Sequence, residues 1–286
     1  MVILPTGKEN YEDFLRRFNF SFSSVNSFHN CKRCFWLTYL QKPKLDREEN
    51  AFAQWGTFMH SLYERFYRGQ LDFFDVCEEY DSKYNNQITL AFPKNRWVDL
   101  SKKYYESGLE ALESFVDLPE NIELVGTEIK VQLKIDGIAF VGFIDMVLRN
   151  KDTQNLIVVD HKSKSKFTSK QEQKEYARQL YLYSLAVKEK FGTYPSKLVF
   201  NMFRAGQIVE IDFSESDLQE AIDWFTETVG QIFLETSWQD KIATEYKNKD
   251  LKLTAFKKQD FFCNELCSMR KYCQRSKDFQ EGRIGN

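Results

Sequence analysis

Hydrophobic positions recur at helical spacing over the first 118 residues, and from Glu123 the period shortens to two. Ser21 to Leu40 places Val25, Phe28, Cys31 and Cys34 at near-helical intervals behind Ser23, which reads as an N-cap. Gln54 to Gly69 carries the stripe Met59, Leu62, Tyr63, Phe66, and two further helical patterns, Phe73–Tyr84 and Lys102–Phe115, flank Pro93. Past Pro119, Val125–Ile135, the dipeptide Asp136-Gly137 and Ile138–Leu148 read as a hairpin, because Asp-Gly suits a two-residue turn. Leu156–Asp160 is a third strand. A long helix follows, about Gln171–Phe191, with Tyr176, Leu180, Tyr183 and Val187 on one stripe. Leu198–Phe203 and Val209–Phe213 form a strand pair around Ala205-Gly206, and Ser214 caps a last helix, about Asp217–Glu235. The order predicts an α/β domain with a small mixed sheet, an N-terminal helical elaboration and a cysteine-rich C-terminal tail. We read it as one domain over 1–286, with a helical region about 20–118, a core about 123–236 and a tail about 254–276. Residues 1–20 read as helical or loosely attached.

At 286 residues the chain can bury a sizeable core. The 26 Phe make that core bulky; base stacking by some aromatics is an option, but burial is the reading taken. No apolar run approaches the ~20 residues of a membrane span. The start, Met1 to Lys8, lacks a basic leader, so a cytosolic protein is expected, with no membrane partner. A net charge of −2 argues against a general nucleic-acid coat but permits a local basic channel. Lys162 to Arg178 supplies one, with a local charge of +4. A second run comprises Lys247, Lys249, Lys252, Lys257 and Lys258.

The strands place chemistry together. Asp145 lies in Gly142-Phe-Ile-Asp-Met-Val and Asp160 in Leu156-Ile-Val-Val-Asp-His-Lys, with the polar turn Arg149–Asn155 between them. A hairpin centred between Asp152 and Thr153 sets Asp145 opposite Asp160, with Cβ atoms about 4.5–5.5 Å apart. Two like charges at that range destabilise a hairpin unless a cation sits between them. Lys162, two residues past Asp160, shares its face. Two carboxylates and an ammonium on one spot form a site for a divalent metal acting on a phosphate.

Six cysteines stand at 31, 34, 77, 263, 267 and 273. The Cys31-Lys-Arg-Cys34 pair and the dense Cys263/Cys267/Cys273 cluster read as metal ligands rather than disulfides. The tail needs a fourth thiolate, which Cys31 or Cys34 supplies only if the chain ends meet. Structural zinc and iron–sulfur clusters both accept four cysteines. Cys77, in a helical stretch, reads as a core residue.

Five pieces in order resemble the PD-(D/E)XK nuclease superfamily, whose core is a restriction-endonuclease-like αβββαβ sheet, and within it the RecB/AddB-type branch with iron–sulfur exonucleases. Gly56-Thr-Phe-Met-His60 resembles the branch's Gly-Thr-x-x-His helix, Gly142-Phe-Ile-Asp145 its Gly-x-x-Asp strand and Asp160-His-Lys162 its Asp-x-Lys core. Gln179-Leu-Tyr-Leu-Tyr183 resembles its Gln-Leu-x-x-Tyr helix, and Ser23 to Phe35 the segment with the first cluster cysteine. The tail departs from the family spacing, with three residues rather than two between Cys263 and Cys267, and Lys32 stands where a proline is usual.

The resemblance implies that Asp145, Asp160 and the His161 carbonyl bind Mg²⁺ or Mn²⁺, with His60 completing the shell and Glu128 close to the metal. It gives the His161 side chain a structural place on the opposite face. Lys162 would orient the attacking water, and Gln179 and Tyr183, one turn apart, would position Lys162, the water or the phosphate. Lys164, Lys166 and Arg178 would hold the DNA backbone. Cys31, Cys263, Cys267 and Cys273 would bind a cluster, [4Fe-4S] with structural Zn²⁺ as the alternative, serving as a staple. The implied function is a DNA exonuclease on single-stranded or end-bearing DNA, in recombination, repair or phage DNA processing, with a helicase or recombination protein supplying strands. Two other readings stand beside it: an inactive nuclease fold that binds nucleic acid or acts as a scaffold, and a Zn-stapled structure-specific endonuclease.

Overall fold

The turn at Asp136-Gly137 has both residues at positive φ, 47° and 82°, the backbone a two-residue turn between right-twisted strands demands. It joins the two longest strands of a five-stranded sheet. The computed structural model of the protein describes residues 11–41, 47–114, 118–236, 238 and 261–273. The second basic run, residues 1–10, Phe115 and the start of the tail lie outside the described residues. Elements follow in the order α1 (Glu12–Leu15), α2 (Phe22–Asn30), α3 (Lys32–Phe35, continued by a π-helical turn Trp36–Leu40), α4 (Ala51–Tyr67), α5 (Phe73–Gln87) and α6 (Leu100–Glu113). Then come β1 (Ile122–Ile135), β2 (Ile138–Asn150), β3 (Leu156–His161), α7 (Lys170–Phe191), β4 (Lys197–Met202), β5 (Gln207–Asp212) and α8 (Glu215–Leu234). The chain forms two compact units, one of residues 53–224 and one of 1–52 with 225–286.

In the unit 53–224 the sheet runs β1-β2-β3-β4-β5. All neighbours are antiparallel except β3 and β4, which are parallel and therefore need the crossover that α7 provides. This is the mixed α/β architecture the order of patterns predicts. Ser169 caps α7 by accepting from Glu172 N–H, and Gly192 ends it in the left-handed conformation at φ 80°. Helices α4, α5 and α6 share a core of Trp55, Phe58, Leu62, Val76, Tyr80 and Leu112, against which the half-buried Cys77 packs. The Tyr63 and Tyr67 rings of α4 stack on His161 at the end of β3.

In the other unit, α2 starts at Ser21 rather than Ser23. Ser21 accepts from Ser24 N–H and Ser24 Oγ accepts from Ser21 N–H, so the reciprocal box forms two residues earlier than the hydrophobic spacing suggests. Ser23 lies exposed inside the helix. Phe28, Phe35 and Trp238 pack ring on ring. The two ends of the chain meet here: Glu48 N–H donates to the Ser268 carbonyl at 2.8 Å, and Asn50 Nδ2 to the Leu266 carbonyl at 3.2 Å. No helix among the described residues is long and apolar enough to cross a membrane.

Candidate active site

The paired part of β2 and β3 ends at Met146–Val159, so Asp145 and Asp160 are the next opposed positions in that register. There a side chain takes over from the ladder: His161 N–H donates to Asp145 Oδ2 at 2.7 Å. On the other side of β2, the pairs Thr127–Met146 and Ile129–Ile144 flank Glu128, which faces Asp145. Glu128 sits at φ 49°, a conformation that costs a β-strand glutamate of order 1 kcal/mol or more and that surrounding structure must hold in place. Three carboxylates thus form a row across β1, β2 and β3. Helix α4 adds His60, whose Nδ1 is 3.7 Å from Asp145 Oδ2. One ligand atom from each of His60, Glu128 and Asp145 lies within 4.8 Å of the others, a group able to hold a metal ion.

Lys162 N–H donates to the Asn201 carbonyl at 2.8 Å, which fixes its backbone beyond the end of β3. Its Nζ lies 2.7 Å from Asp160 Oδ2 and donates to Gln179 Oε1 at 3.0 Å. Gln179 Nε2 in turn donates to Tyr183 Oη at 3.1 Å. Gly142 makes room for this chain: a Cβ there would lie 2.7 Å from Tyr183 Cε1. Asp160 Oδ2 is close to the ammonium but out of hydrogen-bond alignment, and is otherwise buried without a hydrogen bond. A row of three carboxylates, one of them already paired with Lys162, is what a hard divalent cation would bind.

The electrostatics agree. Burial, then the charge of Asp160, pushes the Asp145 carboxyl up to about 8, against the His161 N–H and Lys162. Burial and the nearby Glu64 also raise Glu128. Burial lowers His60 and, with His60 and Lys162 beside it, takes His161 down to about 3, so both imidazoles are neutral near pH 7. Burial raises Tyr183 to about 12, leaving it a neutral hydroxyl. The His161 ring is turned away from the carboxylate row, stacked on Tyr63 at 4.6 Å with Nδ1 3.1 Å from Asn201 Nδ2.

A family model of the PD-(D/E)XK nuclease superfamily matches residues 19–274. The chain belongs to the PD-(D/E)XK nuclease superfamily. No curated protein matches it. Membership brings a metal-dependent nuclease and a nucleic-acid substrate, and the five-stranded mixed sheet agrees with the superfamily's restriction-endonuclease-like fold. In the frame of that superfamily, the geometry gathers His60, Glu128, Asp145, Asp160, Lys162, Gln179 and Tyr183 at one end of the sheet.

The three predicted backbone-binding cations separate. Lys164 is tied to Glu172 at 2.5 Å and lies over the Tyr176 ring, and the Arg178 guanidinium lies 4.9 Å over Trp224. Lys166 is exposed. Among the cysteines, Cys34 Sγ lies 3.9 Å from Cys267 Sγ, and Cys31 Sγ accepts from Cys34 N–H. The hydrogen bond from Cys267 outweighs burial and pulls the Cys34 thiol down to about 6, while Cys267 is pushed up. Sequence reasoning placed Glu128 only by resemblance. The Asp136-Gly137 turn already fixes the β1–β2 register and, carried nine residues back along β1, puts Glu128 opposite Asp145.

Proposed function

We propose that this PD-(D/E)XK protein is a deoxyribonuclease using Mg²⁺ or Mn²⁺, an exonuclease on single-stranded or end-bearing DNA in recombination, repair or phage DNA processing. The observation that carries it is the row Glu128–Asp145–Asp160 with Lys162 2.7 Å from Asp160 and one Asp160 oxygen lacking a hydrogen bond. His60, Glu128, Asp145 and Asp160 would hold the cation, with the His161 carbonyl as a further ligand. When bound, the cation supplies Lewis acidity and neutralises charge at the phosphate. The protein's own part is orientation. Lys162 directs its ammonium at the site, aligns the attacking water and stabilises negative charge growing on the phosphate. Gln179 holds Lys162 by its oxygen and is itself held by the neutral Tyr183 hydroxyl. Lys166 meets the DNA backbone, and Lys164 and Arg178 support the walls through Tyr176 and Trp224.

The RecB/AddB-type assignment is supported by five motifs in order and by the meeting of the chain ends. We propose a four-cysteine staple there, [4Fe-4S] by resemblance, with Cys263, Cys267 and Cys273. The contact with Cys267 favours Cys34 for the place that resemblance gives Cys31. Zinc is the second reading, since tetrahedral Zn–S bonds of 2.3 Å set sulfurs about 3.8 Å apart, close to the 3.9 Å between Cys34 and Cys267.

The test is end-labelled linear single-stranded DNA incubated with anaerobically purified protein and Mn²⁺ or Mg²⁺, with Lys162→Ala alongside. Metal-dependent shortening from an end, lost in the variant, is expected. No cleavage of any end structure by folded, metal-replete protein would leave an inactive nucleic-acid-binding fold instead.

A further inference from the structure

Four of the five tryptophans of this chain are buried. Trp36 and Trp55 are 0% exposed, Trp238 2% and Trp224 9%. Trp97 is 76% exposed. It stands in the connection between α5 and α6, where Ile88-Thr-Leu-Ala-Phe-Pro-Lys-Asn-Arg-Trp-Val98 contains two cations, and the one anion, Asp99, is taken up in capping α6. The Arg96 guanidinium lies 4.4 Å from the indole centroid. Among the described residues no carboxylate lies within ion-pair distance of Lys94 or Arg96.

The loop is built to hold this tip out. Asn95 Oδ1 accepts from Trp97 N–H at 2.8 Å, which closes a tight side-chain turn. Gln54 Oε1 of α4 accepts from both Thr89 N–H and Leu90 N–H at 3.1 Å. Phe92 stacks on Tyr104, which packs edge-on against Trp55. The root of the loop is thereby fastened to the helix that carries His60, six residues and about 9 Å farther along the axis. Gly56, between them, faces Ser163, the residue after Lys162. The loop also lines an open groove of about 910 Å³.

An exposed indole held on a braced loop offers a large flat face with little conformational freedom left to lose on contact. A flat aromatic beside unpaired cations matches a flat base attached to a phosphate, the combination by which single strands are held without sequence preference. We propose that Trp97, with Arg96 and Lys94, is a stacking platform for an unpaired base of the substrate strand. The proposal rests on the nuclease reading for its substrate and adds the residue that favours unpaired over duplex DNA.

The sole exposed indole makes the test direct. A thymidine oligonucleotide is titrated into the whole protein in EDTA, so that nothing is cut, while indole emission and the anisotropy of a labelled oligonucleotide are followed together. Saturable quenching is expected in the wild type and not in Trp97→Ala. Binding should weaken about tenfold in Trp97→Ala, the size of one stacked base, and return most of the way in Trp97→Phe. A duplex of the same length with blunt ends should quench less. Binding by anisotropy with unchanged emission, or equal affinity in Trp97→Ala, would overturn the platform while leaving metal-dependent cleavage untouched. Quenching and selective loss in Trp97→Ala without cleavage in Mn²⁺ would sustain the platform and remove the nuclease reading. Failure to bind any oligonucleotide in EDTA would overturn the platform, and absence of cleavage in Mn²⁺ would remove the nuclease reading.

Discussion

Two groups of carboxylates in the same unit have opposite fates. Glu172 accepts from Lys164 Nζ, Thr168 N–H and the Thr168 hydroxyl; burial raises its carboxyl, but these donors win and pull it down to about 2. Asp145 is raised to about 8, and Asp160 keeps an oxygen without a hydrogen bond. One group is satisfied by the protein and contributes to folding. The other is crowded where β2 and β3 part: Lys162 pairs with Asp160 and His161 N–H with Asp145, yet burial and the charge of Asp160 still raise Asp145. The contrast separates carboxylates that serve stability from those that await a ligand.

Neutralising one member of the unsatisfied group should give the largest effect. Asn at position 145 can still accept from His161 N–H but loses the charge. Asp145→Asn should lower cleavage by about 10³-fold or more while raising metal-free stability by about 1–2 kcal/mol. Excess Mn²⁺, at about 100 times its dissociation constant, should stabilise the wild type by about 2.7 kcal/mol and the variant hardly at all. Denaturant melts with and without Mn²⁺ decide it. A metal-free variant less stable than the wild type would mean that the carboxylate row is not strained by its own charge. The cysteine contact sharpens the same comparison elsewhere in the chain. In the proposed staple, Cys34→Ser should lose the metal and on the order of 3 kcal/mol of stability, and lose more metal than Cys31→Ser does. Elemental analysis showing the reverse would return the ligand to Cys31.

Next in size is Gly142. A methyl group there meets Tyr183 at 2.7 Å, so Gly142→Ala should cost about 1–3 kcal/mol and push Tyr183 off Gln179. Cleavage should fall about tenfold, and Gly142→Ala with Tyr183→Phe should be no worse than Gly142→Ala alone if the tyrosine acts only through Gln179. Additive losses in that cycle would give Tyr183 a separate role.

Much of this site was legible because β-structure is periodic. Asp145, Asp160 and Lys162 follow from a turn centre and a period of two, and the Asp136-Gly137 turn extends the same logic to Glu128. That the sheet is mixed was legible from β3 and β4 flanking a helix, since a parallel pair needs a crossover. Pairings across long sequence gaps were not legible. Nothing local says that Cys34 meets Cys267, because a helical turn can present either sulfur of the Cys31/Cys34 pair and the approaching segment decides. Nor does sequence show that Lys164 and Arg178, members of a basic run, are occupied by Glu172 and Trp224. Trp97 reads as one more core aromatic until its exposure is known. The cap at Ser21 was missed because three serines in four residues offer equal capping chemistry, and only backbone geometry chooses among them.

The smallest effect tests the satisfied group. The folded carboxyl of Glu172 is depressed relative to an unfolded value near 4.3, so its contribution is fully present above that value and is lost as pH falls through about 2. The Glu172 side chain keeps 20% of its surface in water, and screening limits the contribution to about 1 kcal/mol or less. Glu172→Gln should therefore destabilise slightly at pH 7 and make no difference near pH 2. Amide exchange at Thr168 N–H, whose acceptor loses its charge, should speed up first, with that of Lys162 N–H unchanged because its acceptor is the Asn201 carbonyl. Equal loosening at both positions would mean that the loop and the end of β3 open as one piece, and that the two groups of carboxylates are coupled after all.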